Sequence, residues 1–444
     1  MTDLAVETPV AAMPAQGTTG VHMTEKAKQR LKARYSAERR FRYLGLAAIL
    51  FSLAALATLL VTIASNGFTA FQQTHVRLTL DLSAEQIAPV GTTDFTRIMQ
   101  GNYGRIIGEA LEKRFPEVTS RRDQRRLGSL ISPGAESQIG RMVAADPELI
   151  GQTVQIWLPT TSDIDVFVKK QVDTTAPEDE RRVKDIQVGW INALQASGDL
   201  ELRFNTRFFT GADSREPELV GIWGGVVGSI YTLLVCLAVA FPLGIMASIY
   251  LEEFAPKNRL TEIIEVNINN LAAVPSIVYG LLGLAVFIGF FGMPRSAPFV
   301  GGLVLALMSL PVIIIASRAA LRAVPPSIRH AALGVGASPL QTVMHHVLPL
   351  AMPGILTGTI IAMAHALGET APLLMIGMVA FIVDVPVTPA DAATVLPVQI
   401  FMWADSPERG FVEKTSAAII VLLVFLLVMN LAAILLRKRF ERRW

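Results

Sequence analysis

Six stretches of this chain are apolar over roughly the length a bilayer demands, at residues 43–64, 222–250, 263–291, 299–315, 353–379 and 417–436. A spanning helix needs about 20 such residues, and in hydrocarbon only helices and closed barrels satisfy their own backbone N–H and C=O groups. The expected fold is an all-α polytopic membrane protein with six transmembrane helices. Composition agrees, with 52% apolar and 17% charged residues. A net charge of +2 says little about partners, because the placement of the cations carries the information. Lys26, Lys28, Arg30, Lys32, Arg34, Arg39, Arg40 and Arg42 precede the first stretch, and Arg437, Lys438, Arg439, Arg442 and Arg443 follow the last. Cationic flanks stay cytoplasmic, and an even number of spans puts both termini on that same side. This orientation places Lys257, Arg259 and residues 318–349 in the cytoplasm and the acid-rich stretch 384–413 outside.

Residues 1–42 read as a basic cytoplasmic segment whose first 20 or so lack periodicity and are expected to be disordered. Residues 437–444 form a basic cytoplasmic tail. About 40 residues precede the first apolar stretch, which sets it apart from a cleaved signal peptide. The single Cys236, inside an apolar stretch, offers no disulfide framework and is expected to pack as a small apolar group.

Residues 72–217, between the first two spans, are polar and numerous enough for a separate α+β domain outside the membrane. Val76, Leu78, Leu80 and Leu82 alternate with polar neighbours, as do Leu200, Leu202 and Phe204, so each set predicts a strand with one buried face. Val154, Ile156 and Leu158 predict a third strand. Helical spacing appears at Val183, Ile186, Trp190 and Leu194, and at Ile106, Ile107, Leu111 and Phe115. No catalytic constellation stands out, and no His or Cys cluster has metal-ligand spacing. A scaffold or docking domain is the expectation.

A polar island at residues 325–349 interrupts the apolar pattern. Pro326 suits a helix start, and a short helix through Ile328, Ala331 and Ala332 is expected to end where Gly334 and Gly336 permit a turn. Ser338 then N-caps a second helix, Pro339 fits its first position, and Gln341 completes a capping box. Pro349 is expected to end or kink it. Leu340, Val343, Met344 and Val347 share one side at helical spacing. Such a hairpin can fill a groove in a partner. A DNA-binding helix-turn-helix has the same outline, but the flanking spans and the scarcity of Lys and Arg on the second helix argue against nucleic acid.

Two sets of polar residues fall inside apolar stretches. His365 and Glu369 lie four apart, followed by Thr370, Ala371 and Pro372. A carboxylate at mid-membrane costs about 2.5–3.5 kcal/mol on insertion scales, so Glu369 is expected to face protein or a watery path, unless it serves as a structural ion pair. Asn267, Asn269 and Asn270 precede Pro275 and Ser276, and Pro275 frees the carbonyl of Leu271. These groups line a path or join helices by hydrogen bonds; the residues alone leave both open.

The island resembles the cytoplasmic coupling motif of ABC-importer permeases, E-A-A, three residues, G, nine residues, I, one residue, L-P. Ala331, Ala332, Gly336, Leu348 and Pro349 match, while His330 stands where Glu is usual and His346 where Ile is usual. The stretch PLGIMASIYLEEFAPKNRLTEIIEVNINNLAAVPSIVYGLLGLAVF and the motif HALGETAPLL resemble the phosphate permease subunits of the PstA type. AERRFRYLGLAAI and the long polar insertion after it resemble an extended form found in some proteobacterial members. The PstC-type subunits share parts of these motifs.

The resemblance implies a MetI-like permease core at residues 218–436, in an inner membrane, forming half of a translocation pore. It implies a second permease of PstC type, a PstB-type ATPase dimer, a periplasmic phosphate-binding protein, inorganic phosphate as substrate and membrane lipid as surroundings. Coupling to the ATPase would fall to His330, Ala331, Ala332, Gly336, Ser338, His346, Leu348 and Pro349. The path or gate would be formed by His365, Glu369, Thr370, Asn267, Asn270 and Ser276. No G-x-x-x-x-G-K-[ST] segment occurs, so no cofactor is expected on this chain, no catalysis either, and ATP with magnesium belongs to the partner ATPase. One departure is His365, where the family commonly has Arg; His is a cation only when protonated, and most positive potential in the pore is then expected from the partner permease. Another oxyanion such as sulfate or molybdate would suit the same architecture, and a membrane signalling or scaffold protein would also use an outer domain and a cytoplasmic hairpin.

Overall fold

The computed structural model describes residues 25–171, 177–379, 381–382 and 384–440. The expectation of disorder over the first 20 or so residues, and the cations Arg442 and Arg443, lie outside them. The chain divides into two units, Met1–Thr62 and Ile63–Trp444. The first holds most of one long helix, Glu25–Gly67, whose described side chains up to residue 62 are exposed along its length. Its apolar stretch has no amphipathic face, as suits a helix surrounded by lipid.

The second unit opens on a three-stranded antiparallel sheet, β1 (Gln72–Asp81), β2 (Thr153–Pro159) and β3 (Leu200–Phe204), in the order β2-β1-β3. Its register sets Val76 between Leu158 and Leu200, and Leu78 and Leu80 opposite Ile156 and Val154. Val76, Leu78 and Leu80 are buried with Ile106, Ile107, Leu111, Phe115, Ile139, Trp190 and Leu194 in one core. Helices Tyr103–Arg114, Gly134–Ala145 and Asp185–Ala196 supply that cover, so the alternation in the strands and the 3.6-residue spacing in the helices meet on one apolar layer. Three apolar positions depart from expectation. On the edge strand β3 only Leu200 is buried, while Leu202 and Phe204 are exposed, Phe204 stacking on Phe209. Ile186 is exposed too, and Ile191 takes the buried place beside Trp190.

The remaining helices account for the spans. Trp223–Ile249, Pro298–Arg322, Pro339–Gly368 and Gly410–Phe440 are long and apolar enough to cross a bilayer, as is the first helix, which makes five among the described residues. Third in chain order, and a span when its two halves are counted together, is a pair, Arg259–Ala272 and Ser276–Phe290, bent by 101°. The expectation of one helix over 263–291 is thereby corrected. Pro275 has no N–H for the Leu271 carbonyl, the helix stops, and the Tyr279 hydroxyl donates to that carbonyl from 2.7 Å. Spans two and four cross closely because glycine lies at the contact: a Cβ on Gly302 would sit 2.5 Å from Val235 Cβ. Gly358 and Gly354 do the same for spans four and five, against Ala316 and Ala320. Cys236 is fully buried between these spans, beside Ser309 and Met363, and packs as expected.

Two boundaries move. The fifth span was expected over 353–379; the helix ends at Gly368, Glu369 takes an extended conformation, and a short helix, Ala371–Met375, follows. The stretch 384–413, expected as an outer loop, contains the helix Leu396–Ala404 and the first turn of the sixth span. An apolar seam of Ala70, Phe208, Val220, Ile222, Trp403 and Phe411 runs where the sheet domain meets the helical core.

Candidate functional site

The segment between spans four and five folds as a helical hairpin. Its first helix, Pro326–Gly334, ends in a Schellman motif. Gly336 has φ of +91°, its N–H donates to the Leu333 carbonyl at 3.0 Å, and the Ala337 N–H donates to the Ala332 carbonyl at 3.1 Å. No atom lies within 4 Å of where a Cβ on Gly336 would stand, so glycine is needed there for backbone conformation and not for space. The second helix starts at the expected capping box: the Gln341 N–H donates to Ser338 Oγ at 3.2 Å, and the Ser338 N–H donates to Gln341 Oε1 at 2.9 Å.

Pro349 neither ends nor breaks this helix. A π-helical turn, Val343–Val347, carries it into Leu348–Gly368, and Pro349 sits in the first turn of that α-helix, where a missing N–H is harmless. The wide turn also splits the expected apolar stripe. Val343 and Val347 are buried, whereas Leu340 and Met344 point outward and are 60% and 45% exposed. With Leu333 at 48% and Val335 at 85%, they give the hairpin tip an exposed apolar surface around Gly336. His330, Ala331, Ser338 and His346 are exposed, Ala332 is buried, and Leu348 and Pro349 are half-buried. A cleft of about 560 Å³ under the hairpin is lined by Ile328, His345, His346 and Pro349 among others.

The intramembrane candidates gather around two helix breaks. His365 Nε2 lies 3.1 Å from Glu369 Oε1, the histidine exposed and the carboxyl mostly enclosed. Glu369 forms the C-cap of the fifth span and is not on its helical face as the four-residue spacing suggests. The segment that follows packs against the second half of the third span: a Cβ on Gly280 would sit 2.7 Å from Pro372 Cα and 2.9 Å from Met375 Cβ. The breaks after Glu369 and before Ser276 are therefore neighbours, which brings Thr370 and Ser276 to one region. Asn267 is not joined to it by hydrogen bonds; its Nδ2 donates to the Ile263 carbonyl of its own helix at 2.8 Å. Asn267 and Asn270 are exposed, and among the described residues no hydrogen bond links them or Ser276 to Glu369.

A third group was missed in the sequence. Just after the second span, Glu252 and Glu253 occupy a π-helical turn, Tyr250–Phe254. Glu252 pairs with Arg322 at 2.8 Å and Arg318 at 3.3 Å, Arg318 with Glu265 at 2.6 Å, and Glu253 with Arg329 of the hairpin at 2.6 Å. The available signal was a pair of acids directly behind an apolar span and two arginines four residues apart at the end of another.

Comparison with known proteins fits this architecture. Residues 240–444 match the model for the binding-protein-dependent transport system inner membrane component, and residues 28–178 match a domain of unknown function, DUF3333. Phosphate transport system permease protein PstA 1 of Mycobacterium tuberculosis (strain ATCC 25618 / H37Rv) is 32% identical over 223 residues, 50% of this chain and 71% of that one. The chain belongs to the PstA family of permeases. PstA of Yersinia pestis is 32% identical over 213 residues, 48% of this chain and 71% of its own. The probable ABC transporter permease YqgI of Bacillus subtilis (strain 168) is 34% identical over 190 residues, 43% and 63%. Membership makes this chain a multi-pass ABC-importer permease, of a family whose permease subunits are not themselves catalytic. The sheet domain falls largely in the DUF3333 match and the hairpin in the permease match.

Proposed function

We propose that this chain is half of the translocation pore of an ATP-driven inorganic phosphate importer of an inner membrane, and that its hairpin docks on the ATPase. The observation that carries the reading is the hairpin tip. An αL glycine, a Schellman turn and a capping box hold Leu333, Val335, Leu340 and Met344 outward between two spans. An exposed apolar cluster on a rigid hairpin is what a partner groove takes up, and His330 and Ser338 add polar contacts at its rim. The naming of the relatives as phosphate transport permeases supports phosphate as cargo. The partners are then a PstC-type permease, a PstB-type ATPase dimer that holds ATP and magnesium, and a periplasmic phosphate-binding protein. Cationic flanks set both termini and the hairpin in the cytoplasm and residues 72–217 in the periplasm. His365 and Glu369, with Thr370 and Ser276 beside them, act as the gate, while Asn267 and Asn270 face the path.

The test is uptake of labelled phosphate by the assembled complex in proteoliposomes, driven by ATP and the binding protein. Open space around Gly336 lets an indole project straight at the docking surface. Gly336→Trp is expected to abolish uptake with the complex still assembled, whereas Gly336→Asn, which tolerates the αL backbone, retains most of it. Unchanged uptake in Gly336→Trp would favour the scaffold or signalling reading.

A further inference from the structure

The Arg329 guanidinium bonds two other pieces of the chain at once. It stands in the first hairpin helix, and its Nη2 and Nε reach the Glu253 carboxylate, at 2.6 and 3.2 Å, in the turn that follows the second span. Its Nη1 donates to the Val324 carbonyl at 2.8 Å, and Nη2 also donates to the Leu321 carbonyl at 2.9 Å. The Leu321 carbonyl belongs to the last turn of the fourth span, where its i+4 helical partner is missing, and Val324 lies two residues past the end of that helix. The guanidinium thus caps span four, pairs with the end of span two and belongs to the hairpin. Lysine has no planar fork and cannot make this set of bonds together. The contact is sheltered, with 21% of the arginine and 12% of the glutamate side chain exposed, so water and salt screen it weakly.

Glu252, the preceding residue, faces the other way. It binds Arg322 and Arg318 on the last turns of span four, and Arg318 passes on to Glu265 in the first half of the bent third span. Two adjacent carboxylates therefore tie one π-helical turn to the hairpin on one side and to spans three and four on the other.

We propose that Arg329 and Glu253 are the positioning residues through which displacement of the hairpin reaches the second and fourth spans as one rigid movement. This rests on the reading of the hairpin as the ATPase dock. Apart from its chain ends the hairpin meets the core through apolar packing, Ile328 and Val347 lying with Leu321, Phe241 and Ile245, and such non-directional packing lets it slide without moving the spans. With the clamp closed, a push on the hairpin becomes a push on two spans that already cross tightly at Gly302. The clamp stays closed throughout the cycle.

The experiment measures phosphate imported per ATP hydrolysed, with the assembled complex in proteoliposomes and saturating binding protein. Glu253→Gln keeps side-chain size and leaves both carbonyl caps of Arg329. It is expected to preserve ATP hydrolysis and lower the ratio about ten-fold, the loss of one charge-assisted contact. Arg329→Gln should lower it at least as far, and the double variant no further than Arg329→Gln alone, because both act through one contact. Glu253→Asp should recover part of the ratio. An unchanged ratio in Glu253→Gln, or additive losses in the double variant, would overturn the clamp. A normal ratio in Gly336→Trp would instead overturn the docking reading beneath it, so the two failures are separable. If Glu253→Gln does not assemble, the cysteine pair at 253 and 329, joined by a short bifunctional thiol reagent, gives the answer, since the native Cys236 is buried. Linked complexes should transport; arrest on linking would show that the contact must open and would sink the proposal.

Discussion

Lys169 Nζ lies 2.9 Å from Glu413 Oε1 and joins the sheet domain to the first turn of the sixth span. The two residues are 244 positions apart, and their side chains are only 4% and 3% exposed. Lys169 also reaches Asp165 Oδ2 at 2.7 Å, and Lys414 Nζ lies 3.2 Å from Glu413 Oε1. Asp165 Oδ1 in turn accepts from the N–H and hydroxyl of Thr74 on β1. Two cations and two carboxylates thus form a neutral buried set, the one arrangement in which such burial is tolerable.

Removing one member leaves the set unbalanced. Glu413→Gln places Lys169 and Lys414 around Asp165 alone and is expected to destabilise the junction by about 3–5 kcal/mol. Replacing Glu413 and Lys414 together by Met should recover much of that loss, because one charge of each sign then leaves. Thermal unfolding of the purified protein, read with trypsin sensitivity at the junction, checks the order wild type, double variant, single variant.

The crossing of spans two and four depends on missing methyls, and the tightest place is Gly302. A side chain at Gly302 meets Val235 Cβ at 2.5 Å and the Thr232 carbonyl at 2.7 Å, and backbone cannot give way as a flexible side chain does. Gly302→Val is expected to cost about 1–3 kcal/mol and to lower the melting temperature. Gly108, half-buried but with open space where a Cβ would stand, should accept Ala without loss. A melting comparison of the two variants tests whether close approach, and not glycine content, holds the spans.

Burial raises the Asp213 carboxyl above its ordinary value of 3.8, although the Trp403 indole N–H and the Ser214 N–H bond its Oδ1. The unfolded chain therefore ionises this group at lower pH than the folded one. The resulting penalty is complete above the folded value and fades as pH falls through it toward 3.8. Asp213→Asn keeps an oxygen for Trp403 and has nothing to ionise. It is expected to melt higher than wild type at neutral pH, with the gap closing on acidification; a gap independent of pH would refute the desolvation account.

Much of this architecture was legible in the sequence because the governing rules are local. Alternation at Val76, Leu78 and Leu80 identified β1, and Ser338 with Gln341 identified a helix start to the residue. Pro275 announced a freed Leu271 carbonyl but neither the end of the helix nor its 101° bend, beyond which Gly280 packs against Pro372. The fifth span ends at Gly368 without a proline, so its end went unread, and the π-helical turn at Val343–Val347 altered the spacing on which the Leu340 to Val347 stripe relied. Arg329 with Glu253, and Lys169 with Glu413, were invisible for a different reason. Such pairs join elements 76 and 244 residues apart, and no local period encodes the partner.

Glu369 concentrates what remains to be tested about transport. It ends the fifth span in an extended conformation and holds His365 at 3.1 Å, beside the seam where Pro372 meets Gly280. The Glu369 carboxyl is mostly enclosed, while its partner is 64% exposed. An oxyanion near His365 would compete with Glu369 for the same ring, so the pair would open with substrate present and close behind it. Glu369→Gln keeps the size and loses the charge that draws the histidine back. It is expected to assemble and retain ATP hydrolysis but to lose at least ten-fold in phosphate uptake. His365→Arg, permanently charged, should keep the pair closed more firmly and slow uptake less than Glu369→Gln does. Undiminished uptake by assembled Glu369→Gln would reduce the pair to a structural lock between the fifth span and its break.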